Sequence, residues 1–348
     1  MGLVNTNRAE QTTASSSAAE PSRAQNSEGE FVLPGAFALH HGGRLENVRI
    51  AWRLVGPPAA PLIVVAGGIS GHRRVFAEQD DGSAWWQDIA GPARALPTHA
   101  LRVLAYDYLG GSGRTTAPLP GENFPPVSTY DQAEVLKHLL DHLSIDRVRC
   151  IVGASYGGMV ALAFAERYPQ RVNQLMVMSA AERTNPMATA WRCVQRRTVR
   201  FAIEAGQPAG GLALARALAM ATYRSQAEFA TRFDGEPRLE NGRFVFPVED
   251  YLLARGRDYA ARYQPDSFLL LSESIDLHRV DVTRIIIPVL AIGVREDQLV
   301  PIEDMREMVR RLPRGQLVEM SSLYGHDAFL KEAAKLAPLL ATLTEDVV

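Results

Sequence analysis

Apolar positions in this chain fall into two alternating textures. Short runs of β-branched and aliphatic residues occupy Val48–Val55, Leu62–Ala66, Leu101–Tyr106, Val148–Val152, Leu175–Met178, Val289–Ile292 and Leu317–Glu319. Such near-continuous runs belong to strands buried on both faces, so they predict a mostly parallel sheet. Longer stretches separate several of them. The clearest is Thr129–Leu143, where Val135, Leu136, Leu139, Leu140 and Leu143 recur on one helical face. Strands alternating with helices place helices on both sides of the sheet, which is an α/β architecture.

The alternation breaks in two places. Between about Ala181 and Asp281 strand signals stop, and helical patterns rich in Arg, Ala and Tyr take over. The run Ile285 to Ile292 then restores strand character, so the chain is expected to re-enter the same sheet after an inserted helical lid. Before residue 31, Ser, Ala, Thr, Gln and Glu dominate, which predicts a disordered tail. That segment has no apolar core of a secretory signal, and Glu10, Glu20, Glu28 and Glu30 make it acidic for an organellar address. The expected division is a tail over 1–30, a core over 31–180, a lid over 181–281 and a second core segment over 282–348.

Composition narrows the function. A chain of 348 residues with 47% hydrophobic content can bury a full core. Its 37 basic and 39 acidic residues give a formal net charge of −2, and hence no global field to gather nucleic acid or an anionic membrane. The expected partner is a small molecule. No stretch approaches the roughly 18 uncharged apolar residues of a membrane helix, so the chain is expected to be soluble and cytoplasmic. The two cysteines, Cys150 and Cys193, are expected to be buried thiols in a reduced compartment. His40, His41, His138, His142 and His278 show no ligand spacing and read as surface or packing residues; neither a metal nor a cofactor is expected.

The strongest chemical signal is Gly153-Ala154-Ser155-Tyr156-Gly157, placed after a strand and before the helical run from Met159 to Ala165. In a G-x-S-x-G elbow the serine takes a strained backbone conformation, and glycines flank it because a Cβ there would strike the neighbouring strand and helix. Ser155 is the candidate nucleophile. Serine needs a base and an orienting acid, expected in the chain order Ser, Asp or Glu, His. Asp297 follows the strand ending near Ile292, and His326 follows the last strand 29 positions later. Glu296 and Asp304 are rival acids. The Tyr156 N–H at a helix N-terminus and the Gly68 N–H in Ala66-Gly67-Gly68 are the candidate oxyanion donors, with Gly67 second to Gly68. Tyr106 to Arg114 is glycine-rich without a following helix and reads as a rim loop, not a nucleotide site.

These residues predict acyl transfer through a serine ester and leave the acceptor open. Several further segments decide it. Gly153 to Met159, Val194-Gln195-Arg196-Arg197, Gly211 to Arg216, Ala221-Thr222-Tyr223-Arg224-Ser225, Val248 to Leu252, Asp266 to Leu269 and Tyr324 to Phe329 resemble the homoserine O-acyltransferases. Those are α/β-hydrolase-fold enzymes, and the resemblance covers nearly everything after residue 35. It implies an acylated Ser155, with Asp297 and His326 as its relay, and acyl-CoA as co-substrate. It also implies Arg196 on the amino-acid carboxylate, Tyr223 on the acyl group or acceptor, Asp327 on the ammonium, and a homodimer built through the lid helices. An Arg fork and a carboxylate at fixed separation suit a zwitterion. The sequence departs from the family pattern at Ala154, Tyr156 and Ala66-Gly67-Gly68. Arg73 and Arg74, just past that loop, are the expected partners of a succinyl carboxylate, which favours succinyl-CoA over acetyl-CoA. L-serine as acceptor, hydrolysis of a small ester or carbon–carbon bond, and binding without catalysis are the rival readings.

Overall fold

The computed structural model describes residues 25–77 and 82–344. Eight strands form one sheet. In chain order they are β1 (Gln25–Val32), β2 (Arg49–Gly56), β3 (Leu62–Ala66), β4 (Arg102–Tyr106), β5 (Val148–Ala154), β6 (Val172–Met178), β7 (Val289–Val294) and β8 (Gly315–Met320). Their spatial order is β1-β2-β4-β3-β5-β6-β7-β8. β2 runs antiparallel to β1 and β4, and every other neighbouring pair is parallel. The central strands are buried on both faces, as their unbroken apolar runs require; all five residues of β3 are buried.

Two apolar clusters cover the sheet. One face packs Leu136 of α1 (Thr129–His142), Phe164 of α2 (Tyr156–Arg167) and Met305 of a later helix. The other packs Trp86, Ile89, Leu336 and Leu340. Between β6 and β7 lie α3 (Pro186–Glu204), α4 (Pro208–Tyr223), α5 (Gln226–Phe233), α6 (Pro247–Ala260) and α7 (Pro265–Asp276). Four of these five open on proline. Proline suits the first helical position, because its missing N–H would have no intrahelical partner there and its φ is already helical. After β7 come α8 (Ile302–Arg311), α9 (Ala328–Lys331) and α10 (Ala333–Ala341).

Three sequence expectations need correction. Residues 25–30, assigned to the tail, belong to β1, an edge strand. The acidic residues there have partners: Glu28 pairs with Arg73 at 2.7 Å, and Glu30 with Arg114 at 2.6 Å. The remainder of the expected tail lies outside the described residues. Secondly, the insertion is not wholly helical, since Arg238–Glu240 and Arg243–Val245 form a hairpin. Its turn, Asn241-Gly242, has φ of 50° and 80°, as an Asn-Gly hairpin turn demands. Thirdly, Cys150 is buried but Cys193 is exposed on α3. Among the described residues, no helix is long and apolar enough to cross a membrane.

Candidate active site

The end of β5 builds the site's sharpest feature. Ser155 sits between β5 and α2 with φ 54° and ψ −120°, a conformation that costs an L-residue energy and persists because its surroundings fix it. Its N–H donates to the Met178 carbonyl at 2.8 Å, and the Gly157 N–H donates to the Gly67 carbonyl at 2.8 Å. A Cβ on Gly153 would lie 2.4 Å from the Gly157 oxygen, and one on Gly157 would lie 2.1 Å from the Ala66 oxygen. Neither distance is tolerable, so both flanking glycines are required for the turn to close.

His326 meets this serine from the far end of the chain. Its Nε2 lies 2.8 Å from Ser155 Oγ, and its Nδ1 lies 2.7 Å from Asp297 Oδ2. The other oxygen of Asp297 accepts from the Leu299 and Val300 N–H groups at 2.9 and 3.0 Å. The carboxylate is therefore oriented by backbone before it touches the imidazole. Burial pulls the His326 pKa down, but the charge and hydrogen bond of Asp297, with Asp327 adding to them, outweigh it and leave the pKa above the ordinary 6.5. The rival acids are engaged elsewhere: Glu296 accepts from the Ser322 N–H at 2.8 Å, and Asp304 accepts from Asn185 Nδ2 at 2.9 Å. A hydroxyl, an imidazole and a carboxylate in this chain of hydrogen bonds can move the serine proton onto the ring as the oxygen attacks a carbonyl carbon.

Ser155 and His326 open on a cavity of about 330 Å³. Gly68 lines it, and a Cβ on Gly68 would come within 4.0 Å of the Ser155 Cβ, so this loop passes beside Ser155. Gly67 instead faces the fold: its carbonyl accepts from Gly157 and from the Tyr108 hydroxyl at 2.6 Å. Tyr156 opens α2 with its backbone, while its side chain is buried, sharing a hydrogen bond with Ser274 Oγ at 2.7 Å. The Tyr156 departure from the family pattern thus sits behind the cavity wall rather than in it.

Tyr223 and Asp327 line the cavity, and the Tyr223 ring centroid is 5.8 Å from that of His326. Asp327 is not a free anion, because Arg224 Nε lies 3.1 Å from its Oδ2. The structure does not bring Arg196 to the cavity. Its Nη1 is held by Asp276 at 2.6 Å and by the Ser272 carbonyl at 3.0 Å, and it contributes nothing to the cavity wall. One turn earlier, Arg192 does line the cavity, but the same carboxylate holds it at 2.6 Å. Arg73 and Arg74 are also off the wall: Arg73 pairs with the buried Asp107 at 2.6 Å, and Arg74 is 46% exposed at the β1 edge. The loop Tyr106 to Arg114 adds no residue to the wall either, and Gly110 packs instead against Leu270 of α7.

Sequence reasoning passed over Trp191, Arg192 and Arg216, all of which line the cavity, and Arg224, which braces Asp327. Arg216 and Arg224 lay inside segments already singled out, and the need of Asp327 for a counter-ion was the signal that pointed to Arg224. His278 is a packing residue, its ring bonded to Thr129 Oγ1 at 2.8 Å and to the Ala181 carbonyl at 3.1 Å. Among the described residues no group of three or more His, Cys, Asp or Glu could hold a metal ion.

Comparison with known proteins agrees with this geometry. Residues 61–333 match the α/β hydrolase fold family. A homoserine O-succinyltransferase of Xanthomonas campestris pv. campestris is 42% identical over 320 residues, 90% of this chain and 83% of that protein. A serine O-succinyltransferase of Litchfieldella anticariensis is 30% identical over 357 residues, 89% of this chain and 96% of that one. Among solved structures, the homoserine O-acetyltransferase of Staphylococcus aureus superposes with a TM-score of 0.78 at 24% identity, covering 91% of this chain and 95% of that one, a likeness of fold. With its elbow, its sheet order and these relatives, the chain belongs to the homoserine O-acyltransferase family of the α/β-hydrolase superfamily.

Proposed function

We propose that the chain is an L-homoserine O-acyltransferase that takes its acyl group from succinyl-CoA, with Ser155, His326 and Asp297 as its catalytic residues. The observation that carries this is the Ser155–His326–Asp297 hydrogen-bond chain at the cavity of a protein 42% identical to a homoserine O-succinyltransferase. Ser155 Oγ attacks the thioester carbon as His326 Nε2 takes its proton. The oxyanion is received by the N–H groups of Tyr156 and Gly68, and the carbon–sulfur bond breaks with His326 returning the proton to the departing CoA thiolate. The homoserine hydroxyl then gives its proton to His326, attacks the acyl-enzyme, and Ser155 leaves protonated. Asp327, braced by Arg224, serves the substrate ammonium, and Tyr223 shapes the space beside His326.

Two half-reactions at one serine require ping-pong kinetics and no bound cofactor. Methionine biosynthesis is the setting this acceptor implies, and the cytoplasm is the compartment. The exposed apolar residues Val194 and Phe201 on α3 and Leu214 on α4 suit a homodimer face.

Thiol release from succinyl-CoA and acetyl-CoA, each with homoserine, serine or no acceptor, tests the reading. Release that needs both homoserine and Ser155, and is faster with succinyl-CoA, is the expected result. Serine as the better acceptor would move the assignment by one methylene, a difference worth about 1–3 kcal/mol in an apolar pocket. Release indifferent to any acceptor would make the protein a hydrolase.

A further inference from the structure

Asp276, at the end of α7, meets more positive charge than it can neutralise. Its Oδ1 accepts from Arg192 Nε and from the Thr189 hydroxyl, both at 2.8 Å, and its Oδ2 accepts from Arg196 Nη1 at 2.6 Å. Two guanidinium groups therefore share one carboxylate, and all three side chains are only 10–11% exposed. Among the described residues neither arginine makes an ion pair with any other carboxylate. The cluster keeps one net positive charge where little water reaches it, a costly arrangement for a group without a partner.

That charge has one outlet. Arg196 adds nothing to the cavity wall, whereas Arg192 lines it. Arg192 is fixed at Nε by Asp276 and at Nη2 by the Thr184 hydroxyl, while its Nη1 makes no hydrogen bond among the described residues. Gln195 lines the same cavity and is 4% exposed, and its side-chain amide likewise makes no hydrogen bond among the described residues. Buried amides in folded proteins nearly always have a partner, so two such groups facing one cavity point to a ligand that fills them. Residues three apart on a helix stand about 5–6 Å apart at Cβ, so the Arg192 Nη1 and the Gln195 amide can close on the two oxygens of one carboxylate. The reacting groups are within reach, because the charge of Arg192 is felt at the His326 ring, where it opposes protonation.

We propose that Arg192, with Gln195 beside it, is the specificity-determining site of this cavity and binds the distal carboxylate of the succinyl group, the role that the sequence suggested for Arg73 and Arg74. The identity of the ligand rests on the acyl-transfer reading. The acceptor's own carboxylate sits on the carbon that carries its ammonium and so stays beside Asp327, which pairs with Arg224 and not with Arg192. An acetyl group has no atom for Arg192 and Gln195 to hold. It leaves a buried cation and a buried amide unmet, and a site built to hydrogen-bond a polar group discriminates strongly against the analogue that lacks it.

The test compares ratios among wild type, Arg192→Gln, Gln195→Leu and Gln195→Glu, each first checked for folding by thermal melting. The two Gln195 variants leave the Asp276 ion pairs in place, so the proposal is still judged if Arg192→Gln folds poorly. Acylation of Ser155 by succinyl-CoA and by acetyl-CoA is followed by mass spectrometry, and use of L-homoserine against L-homoserinamide by thiol release. Arg192→Gln should lower the succinyl-to-acetyl ratio of kcat/KM by about 10-fold or more, with a smaller loss for Gln195→Leu. Gln195→Glu, whose carboxylate repels that of the ligand, should lower the ratio further than Gln195→Leu does. A merely structural role would slow both donors alike and leave the ratio unmoved. Succinyl-to-acetyl ratios within about threefold of wild type in all the variants would overturn the proposal, as would a loss that fell instead on the homoserine-to-homoserinamide ratio. Calorimetry with succinate needs no turnover and separates the two readings. If no CoA were released, the acyl-transfer reading would fall by itself, and Arg192 would be judged on succinate: affinity lowered about 10-fold or more by Arg192→Gln upholds the subsite, and unchanged affinity or no binding to wild type overturns it.

Discussion

The elbow around Ser155 and the helices α3, α4 and α7 line the same cavity but hold their residues by opposite means. At the elbow, placement comes from the main chain: a strained φ, two glycines with no room for a Cβ, and N–H groups that orient Asp297. Among the helices it comes from side chains. Asp276 gathers Arg192 and Arg196, and the faces of Tyr223 and Tyr259 hold Arg216. Backbone geometry survives substitution of its neighbours, whereas an ion pair or a ring contact is rewritten by one codon. The difference teaches that the Ser155–His326–Asp297 arrangement is set largely by main chain, whereas the charged groups of the opposite wall are set by side-chain contacts that substitution can change.

That contrast can be broken by experiment. Its largest consequence is at Asp297→Asn, which reverses the tautomer demanded of His326 and should lower kcat by about 10⁴-fold with both donors and both acceptors alike. A loss confined to one substrate would erase the division. Gly157→Ala places a Cβ 2.1 Å from the Ala66 oxygen and should destabilise the protein by about 3 kcal/mol or more, read as a lowered unfolding midpoint. A stable, active Gly157→Ala enzyme would show that the elbow is less constrained than its backbone implies.

Arg196→Gln sharpens the comparison from the other side. Arg196 and Asp276 are 11% and 10% exposed, and Arg192 keeps part of the pair's charge satisfied, so unfolding should come about 2 kcal/mol more easily. KM for homoserine should hold within about threefold, since the side chain faces α7 and not the cavity. A rise of KM without loss of stability would restore Arg196 as a substrate contact. The smallest effect is in pH. His326 acts as a base when neutral and its pKa is raised, so kcat/KM should climb with pH through a value above 6.5. By linkage, the stability that the His326–Asp297 pair contributes is full below pH 6.5 and fades as pH rises through the folded-state pKa. An activity midpoint below 6.5 would contradict the Asp297 contact.

How much of this was legible beforehand follows the same line. The central strands announce themselves because burial on both faces leaves no polar alternation, and the elbow because a strand, two glycines and a helix are a local pattern. β1 was hidden for the converse reason: Asn26-Ser-Glu-Gly-Glu is a half-exposed stretch of edge strand that holds its charges in ion pairs rather than in a core. The Asn241-Gly242 hairpin carried a readable turn but exposed strands, and the helical texture around it drowned the signal. Among the arginines, periodicity shows that Arg192 and Arg196 share a face and says nothing of which carboxylate that face meets. Arg216 becomes visible when α4 is laid against Tyr259 in three dimensions.

The residue just beyond α6 gives the molecule a tie rod. The Tyr263 hydroxyl donates to the Ser70 carbonyl at 2.8 Å, and the Tyr263 ring stacks on Tyr259 with centroids 4.2 Å apart. Ser70 lies two residues from Gly68 in the loop beside Ser155. A pull on α6 would therefore be borne by that loop and carried toward Gly68, the proposed oxyanion donor. The seated position of the insertion and the position of the loop at Gly68 are thus tied through a single hydroxyl.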